Sequence, residues 1–389
     1  MNNASKRTWA EIDLEALKNN IRNIKDYVGE DVQILAVIKA DAYGHGAVKC
    51  AEVMLENGAS RLAAAFADEA VQLREHGIFA PIQLLGYTSR ADYHTLVEYN
   101  IIPSIFSYDD AAALSEIALS CGKKQKIHIK LDTGMHRIGF DASAPETVSE
   151  ILKISKLGGV EIEGIFTHFS CADMTSDDYT YMQFDKFMNV ANKLEKAGLH
   201  IPFKHVCNSA AIIKHKDMHL NMVRPGIINY GLMPSECVDI SVLKLKPVMS
   251  IKTTVSRIQY IDKGDKISYG ATFEADKKMK IATIPIGYAD GFIRAFSGKI
   301  PVIAGGKYAD IVGRICMDQC MIDVTAVNNI NVGDEVIIIG ESEGKRITAD
   351  DAASAIGTIG YELVCLVGKR VPRIYLRSGS VIDVTSGLV

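Results

Sequence analysis

Between Asp31 and about Gly231, short apolar runs rich in β-branched residues take turns with stretches rich in Ala, Glu and Lys. The runs cover 33–39, 62–67, 82–86, 102–106, 127–132, 162–168, 203–208 and 221–224. Helical stretches at 46–57, 68–76, 109–120, 144–156 and 177–197 lie between them. Asp68 and Asp109 read as start signals, and Gly58, Gly77, Gly122 and Gly198 follow helix ends. Eight strands alternating with helices predict an α/β fold, a closed (β/α)8 barrel. An open doubly wound sheet shares the alternation and is the other candidate.

The pattern changes near residue 240. Strands then follow one another without helices, at 248–260, 280–286, 301–303, 309–315 and 321–324. Turn residues at Lys263-Gly264-Asp265, Gly305-Gly306 and Gly333-Asp334 separate several of them. A buried strand is expected at 336–339 and a short helix at 349–356. The expected organisation is a barrel domain over 1–240 followed by a mostly β C-terminal domain over 241–389. Ahead of both, 8–13 reads as a strand, and Asp13 can cap a helix with Leu17, Ile21, Ile24 and Val28 on one face. The pattern leaves open which domain that strand joins.

At 389 residues, 48% hydrophobic and 23% charged, the chain can fill two cores and carries no low-complexity tract. A net charge of −4 with dispersed Lys and Arg gives no footprint for nucleic acid, so a small molecule is the expected partner. The N-terminus is polar, without the apolar stretch of a signal peptide. No window reaches the roughly 18 apolar residues of a membrane span. Eight cysteines without framework spacing read as reduced, buried thiols in a cytoplasmic protein.

Unusual polar residues close these runs. Lys39 follows Ile34-Leu35-Ala36-Val37-Ile38, Lys130 and Asp132 end the run at 127–132, and His168 follows Ile165-Phe166-Thr167. Asn208 and Ser209 follow Cys207, and Arg224 follows Met222-Val223. Singly, each has a plain structural reading: a solvated charge, a satisfied histidine, a helix cap or a turn. A barrel gathers all of them on the C-terminal rim, where barrel enzymes keep their chemistry. A lysine amine condenses with aldehydes, and pyridoxal phosphate is the aldehyde cofactor used in that way. Its phosphate needs hydroxyls and backbone donors, which the last two barrel loops offer as Ser209 and Gly226-Ile227.

The segment Ala36-Val37-Ile38-Lys39-Ala40-Asp41-Ala42-Tyr43-Gly44-His45-Gly46 resembles the cofactor-lysine signature of the alanine racemases, a family of fold-type III pyridoxal-phosphate enzymes. The resemblance continues through Lys130-Leu131-Asp132-Thr133-Gly134-Met135-His136-Arg137, Thr167-His168-Phe169, Asn208-Ser209-Ala210-Ala211 and Arg224-Pro225-Gly226-Ile227. It runs on through Ser268-Tyr269-Gly270, Cys316-Met317-Asp318 and Gly360-Tyr361-Glu362. It implies a barrel followed by a β domain, and an isomerase that interconverts L- and D-alanine and supplies D-alanine for peptidoglycan. Lys39 then carries the cofactor and is one catalytic base; Tyr269, supplied by the partner in a homodimer, is the other. Tyr43, Ser209, Gly226, Ile227 and Tyr361 are implied to bind the phosphate, and Arg224, supported by His168, to face the pyridine nitrogen. Arg137 is implied to meet the cofactor phenolate and, with the Met317 backbone, the substrate carboxylate. Lys130, a position often carbamylated in the family, and Asp318 are supporting residues. No metal is implied.

Racemisation needs a base on each face of a trigonal carbon. Lysine and tyrosine ordinarily titrate near 10, so both need lowering or coupling to act near neutrality. Arginine stays protonated, so a ring nitrogen facing Arg224 accepts a hydrogen bond and stays neutral, which suits proton exchange over transamination. His136 before Arg137 and Gly360 before Tyr361 depart from the family pattern; His136 is expected to point outward. Tyr361 is expected to crowd the space beyond the substrate β-carbon and favour alanine over serine. Alternatives are a racemase of serine or broader specificity, and a fold-type III decarboxylase, against which Arg224 and Tyr269 stand. A non-catalytic pyridoxal-phosphate carrier, which usually ends after the barrel, and a barrel without cofactor complete the set.

Overall fold

The computed structural model describes residues 7–387; residues 1–6, where the polar N-terminal stretch begins, and 388–389 lie outside them. Strand β1 (Thr8–Asp13) runs straight into the helix Leu14–Val28. Asp13 makes that junction: its Oδ1 accepts from the N–H groups of Glu15 at 2.9 Å and Ala16 at 3.0 Å, satisfying two first-turn donors. Leu17, Ile21, Ile24 and Val28 are buried along one face of the helix. The partners of β1 are remote: it runs antiparallel to Met249–Thr254 and parallel to Arg373–Arg377. The N-terminal strand therefore belongs to the C-terminal sheet.

Next along the chain come β2 (Gln33–Val37), β3 (Arg61–Ala64), β4 (Ile82–Leu84), β5 (Ser104–Ile105) and β6 (Gln125–Asp132). A two-residue strand, β7 (Phe140–Asp141), lies beside the end of β6. Then follow β8 (Val160–Phe166), β9 (Phe203–His205) and β10 (Met222–Val223). Parallel pairing joins them as β10-β2-β3-β4 and β5-β6-β8-β9. Two seams close the ring. Leu84 N–H donates to Ile102 O at 2.8 Å and Ile102 N–H to Ile82 O at 2.9 Å, while Arg224 N–H donates to Cys207 O at 3.0 Å. The sheet is a closed barrel of eight parallel strands, and the open doubly wound alternative falls.

Most of these strands stop short of the apolar runs that announced them. β2 ends at Val37 instead of 39, β8 at Phe166 instead of 168, and β9 at His205 instead of 208. In these three the last residues leave the ladder and turn over the rim, taking Lys39, His168 and Asn208 with them, whereas Lys130 and Asp132 stay within β6. Helix starts also differ. Phe66 and Ser107 occupy the cap positions, with Asp68 and Asp109 inside the first turn, where a carboxylate still favours the helix dipole. A further helix, Tyr93–Tyr99, fills the connection between β4 and β5.

After residue 248 the chain builds one large, mostly antiparallel sheet. Its order is Arg257–Ile261, Met279–Ile284, Cys320–Asp323, Lys307–Val312, Pro301–Ala304, Glu335–Ser342, Met249–Thr254, β1, Arg373–Arg377 and Ser380–Thr385. The single run read at 248–260 is two strands, broken at Val255-Ser256, which pair with different neighbours. Gly305 and Gly306, at φ 52° and 69°, supply the two left-handed positions of a tight hairpin between Pro301–Ala304 and Lys307–Val312. The helix Gly360–Cys365 leaves this sheet and docks on the loop after β2, so closely that a Cβ on Gly44 would lie 2.3 Å from Val364 O.

The cysteines are free, but only Cys50, Cys207 and Cys320 are buried. Cys121, Cys237 and Cys365 are exposed, which corrects the reading of uniformly buried thiols. Those three fall at a helix end, in a loop and at the last residue of the helix Gly360–Cys365, outside the apolar runs. Among the described residues, no helix is long and apolar enough to cross a membrane.

Candidate active site

Lys39 leaves the end of β2 and is followed by four residues in the left-handed region: Ala40, Asp41, Ala42 and Tyr43, at φ 53°, 53°, 55° and 53°. None is glycine, and such a conformation costs roughly 1–2 kcal/mol per residue. The surroundings hold it in place. Glu69 accepts from Ala40 N–H at 2.6 Å with one oxygen and from Ala65 N–H at 2.7 Å with the other. Asp41 Oδ1 accepts from Ala47 N–H at 2.7 Å, and the His45 Nδ1–H donates to the carbonyls of Ala42 and Tyr43, both at 2.9 Å. Arg373 Nε donates to Gly44 O at 3.0 Å. Strain clamped from several sides marks a functional segment, and here it fixes where Lys39 emerges. Sequence reading placed Lys39 at the strand end and missed both the left-handed run and Glu69.

Lys39 shares its surroundings with three more basic side chains, Lys130, Arg137 and Arg224. His168 is held well below the ordinary imidazole range by burial first, then by Arg224, Arg137, Lys130 and Lys39. Burial and Arg137 lower the Lys39 amine, partly offset by Glu69 and Cys365. Lys130 is buried, donates to Leu131 O at 2.7 Å, and is pulled down to about 7 by burial and then by Arg224. The nearby carboxylates do not neutralise this group by direct contact. Glu69 is spent on two backbone N–H groups, and Asp132 on those of Gly134 at 2.9 Å and His136 at 3.0 Å. Among the described residues no carboxylate is bound to any of these four basic side chains at one barrel mouth, so the site calls for an anionic ligand.

Arg224, at the barrel seam, is almost wholly buried, and burial lowers it to about 10, still a cation near neutrality. Its Nη1 donates to His205 Nδ1 at 3.0 Å and to His205 O at 2.9 Å. Its Nη2 donates to Thr167 O at 2.7 Å and Val206 O at 2.9 Å, with His168 Nδ1 at 3.4 Å. Among the described residues only its Nε–H has no protein acceptor, leaving one fixed donor for a ligand. The expected support from His168 is present but long; His205 is the closer partner. Sequence reading passed over His205 as part of an apolar run, although a histidine leading directly into the buried Val206-Cys207 was itself a signal.

Across the mouth, the Tyr43 ring lies 5.1 Å from Tyr230 and 6.2 Å from Tyr361, which the docked helix Gly360–Cys365 brings from the C-terminal domain. Ser209 Oγ accepts from Gly226 N–H at 2.9 Å, and Gly226 and Ile227 open a 3-10 turn. A Cβ on Gly226 would lie 2.9 Å from the Tyr43 hydroxyl and 3.7 Å from Ser209 Oγ. Glycine thus leaves a cradle lined by two hydroxyls and the start of a turn, which fits a phosphate.

Tyr269 and Met317 are not in this mouth. With Ser268, Cys316, Asp318 and Met321 they line a separate open cleft on the C-terminal domain, where Tyr269 is 70% exposed and Met317 52% exposed. Asp318 accepts from Arg370 Nη2 at 2.5 Å, and Arg370 and Arg7 both bind the buried Asp290 at 2.8 Å, which ties Asp318 to the chain behind the cleft. Arg137 is exposed at the end of the loop after β6. His136 points outward, its side chain 85% exposed, with φ at 55°. That backbone angle is one that Asn, Asp and His adopt more readily than most residues. Gly360 also has a reason: a Cβ there would lie 2.2 Å from Asp350 Oδ1.

The buried rings set a pH limit on the fold. His45, lowered to about 4, and His128, His168 and His205 are all held below the ordinary value, burial being the first cause in each. Their folded-state values lie below the unfolded one near 6.5, so the stability they contribute is present above that pH and lost as pH falls. Each ring removes up to about 1.4 kcal/mol per pH unit. The melting temperature, followed by differential scanning fluorimetry, is expected to drop continuously from pH 6.5 to 5; a flat profile would count against buried neutral rings.

Residues 12–234 match the family model "Alanine racemase, N-terminal domain", and residues 248–375 match "Alanine racemase, C-terminal domain". The chain is 50% identical to alanine racemase 1 of Clostridium acetobutylicum over 97% of both chains. It superimposes on the alanine racemase of Clostridium difficile 630 with a TM-score of 0.95 and 43% identity, covering 98% of this chain and 99% of that one. The complex of that protein with cycloserine gives a TM-score of 0.93 at 42% identity, with 98% and 99% covered.

Proposed function

The chain belongs to the alanine racemase family of isomerases, and from that premise we propose that it interconverts L- and D-alanine with pyridoxal 5'-phosphate on Lys39 and a second base, Tyr269, from the partner of a homodimer. The observation that carries this reading is the barrel mouth, where Lys39, Lys130, Arg137 and Arg224 converge with no carboxylate among the described residues bound to any of them. A phosphate, a phenolate and a substrate carboxylate are the anions such a site would hold. The Gly226 cradle supports placing the phosphate among Tyr43, Ser209, Gly226, Ile227 and Tyr361, and the free Nε–H of Arg224 supports a hydrogen bond to a neutral ring nitrogen. When bound, the cofactor supplies the electron sink that lets a substrate Cα–H ionise.

The residues do the rest. Lys39, whose amine burial lowers, exchanges a proton at Cα from one face. Tyr269 does so from the other, and its exposure in a cleft remote from the barrel mouth supports delivery to a second copy's site, with Met317 beside it for the substrate carboxylate. Arg137 would hold that carboxylate from the barrel side, and His168 and Asp318 would support the two halves. The working division is a barrel over 1–240 and a β-rich domain over 241–389, with β1 shared into the second sheet. Lys130, amine-like near neutrality and surrounded by cations, suits carbamylation, which would place a negative charge where Arg137 needs one. A cytoplasmic enzyme supplying D-alanine for peptidoglycan is the setting this reading implies.

Chiral chromatography of products from L-alanine, L-serine and L-lysine tests the reading, with carbon dioxide release followed in parallel. D-alanine as the dominant product is expected, with serine still turned over, about 100-fold more weakly. Carbon dioxide without D-alanine would replace racemase with decarboxylase. Protein kept under 13C-labelled carbon dioxide is expected to show one carbamate carbon signal, absent from Lys130→Arg.

A further inference from the structure

Inside the barrel, below the site, lies a chain of polar side chains that the reaction scheme above does not use. Arg224 Nη1 donates to His205 Nδ1 at 3.0 Å, His205 Nε2 lies 2.9 Å from His128 Nδ1, and His128 Nε2 lies 3.4 Å from Glu163 Oε2. Glu163 takes Arg61 through both oxygens at 2.8 and 3.1 Å, and Lys126 at 2.7 Å. His128 and His205 are fully buried and Glu163 nearly so. The chain runs from the rim, at the end of β10, to the opposite mouth, where Arg61 and Lys126 stand near the starts of β3 and β6.

Proton counting gives the chain one direction. Arginine only donates, so His205 Nδ1 must be the bare nitrogen and its Nε2 must carry the hydrogen. That hydrogen needs an acceptor, so His128 Nδ1 is bare and His128 Nε2–H points at the carboxylate. Each ring is neutral and each tautomer is set from both ends, in keeping with the low imidazole values at both positions. The backbone is shaped for it. A register shift between β6 and β8 falls between Ile127 and His128, and opposite it a Cβ on Gly164 would lie 2.3 Å from the His128 ring. The His205 ring is further fixed by stacking on Phe166 at 4.8 Å, 2° from parallel.

We propose that His205, His128 and Glu163 are positioning residues: a one-way hydrogen-bonded chain down the barrel that holds Arg224 with its Nε–H aimed into the site. This rests on reading Arg224 as the partner of the cofactor's ring nitrogen. With both Nη groups committed, the guanidinium cannot swing, and the Glu163 carboxylate polarises the chain toward the buried cation.

The test begins with 15N-histidine NMR of the wild-type holoenzyme, for which His128 and His205 are both expected neutral with hydrogen on Nε2. Hydrogen on Nδ1 of either ring, or a protonated ring at neutral pH, would overturn the chain without need of any variant. His128→Phe then cuts the chain while leaving Glu163 with Arg61 and Lys126. It is expected to lower kcat about 10-fold with KM within about 2-fold, and to shift the visible band of the bound cofactor. His128→Gln, whose carbonyl can accept and whose amide can donate, is expected to keep most of kcat. Wild-type kcat and band position in His128→Phe, or an equal loss in both variants, would leave only packing and overturn the proposal. A colourless wild-type protein without turnover would instead sink the functional reading, while the histidine tautomers would still decide the chain.

Discussion

Lys39→Ala protein is expected to be colourless when purified, to show no borohydride-sensitive visible band, and to racemise L-alanine at least about 10⁴-fold more slowly. The size follows from two losses at once. The amine is both the anchor for an aldehyde cofactor and a base at the substrate carbon, and neither role passes to a neighbour. Lys130 is buried against Leu131 O and cannot take its place. The fold should survive, because the left-handed turn is held by Glu69, Asp41 and His45 and not by the lysine side chain. Melting near that of wild-type protein stripped of cofactor, together with lost activity, is the expected pair of results; activity within 10-fold of wild type, measured by chiral product analysis, would remove Lys39 from the centre of the site.

Tyr269→Phe is expected to lower kcat by roughly 10²–10⁴-fold while the protein stays yellow and melts normally. The hydroxyl stands in an open cleft where Tyr269 is largely exposed, so its removal leaves no cavity in a core and no orphaned buried partner. Stability and function therefore separate cleanly at this residue, unlike at Tyr43 or Tyr361, whose rings are packed. If the tyrosine serves a neighbouring subunit, Lys39→Ala and Tyr269→Phe protein mixed under conditions of subunit exchange should regain activity, since half of the sites in each hybrid dimer are intact. Confirmed exchange with no recovery would place both bases in one chain.

What the sequence disclosed followed the range of the forces involved. The rim residues Lys39, Lys130, His168 and Arg224 were legible because a strand end is a local feature and a barrel sends all strand ends to one side. The Asp13 cap and the apolar face after it were legible for the same reason. The left-handed run Ala40–Tyr43 was not, because alanine and tyrosine disfavour that conformation and only tertiary contacts impose it. Glu69 lies in the first turn of the helix Ala67–Glu75, where an acid needs no further reason, and its two backbone contacts exist only once β2 and β3 lie side by side. Strand β1 joined a sheet formed some 240 residues later in the chain, a pairing to which no local periodicity points. His205 and His128 were hidden inside apolar runs, and their meaning depends on the facing strands that bring them together.

The most direct measurement of the two-base claim is α-hydrogen exchange in deuterium oxide by Tyr269→Phe holoenzyme, supplied separately with L- and D-alanine and read by mass spectrometry. With Lys39 alone on one side of the substrate carbon, deuterium should enter one enantiomer and not the other, with almost no interconversion. Equal exchange into both enantiomers, or racemisation at the wild-type rate, would contradict a lysine and a tyrosine working from opposite faces.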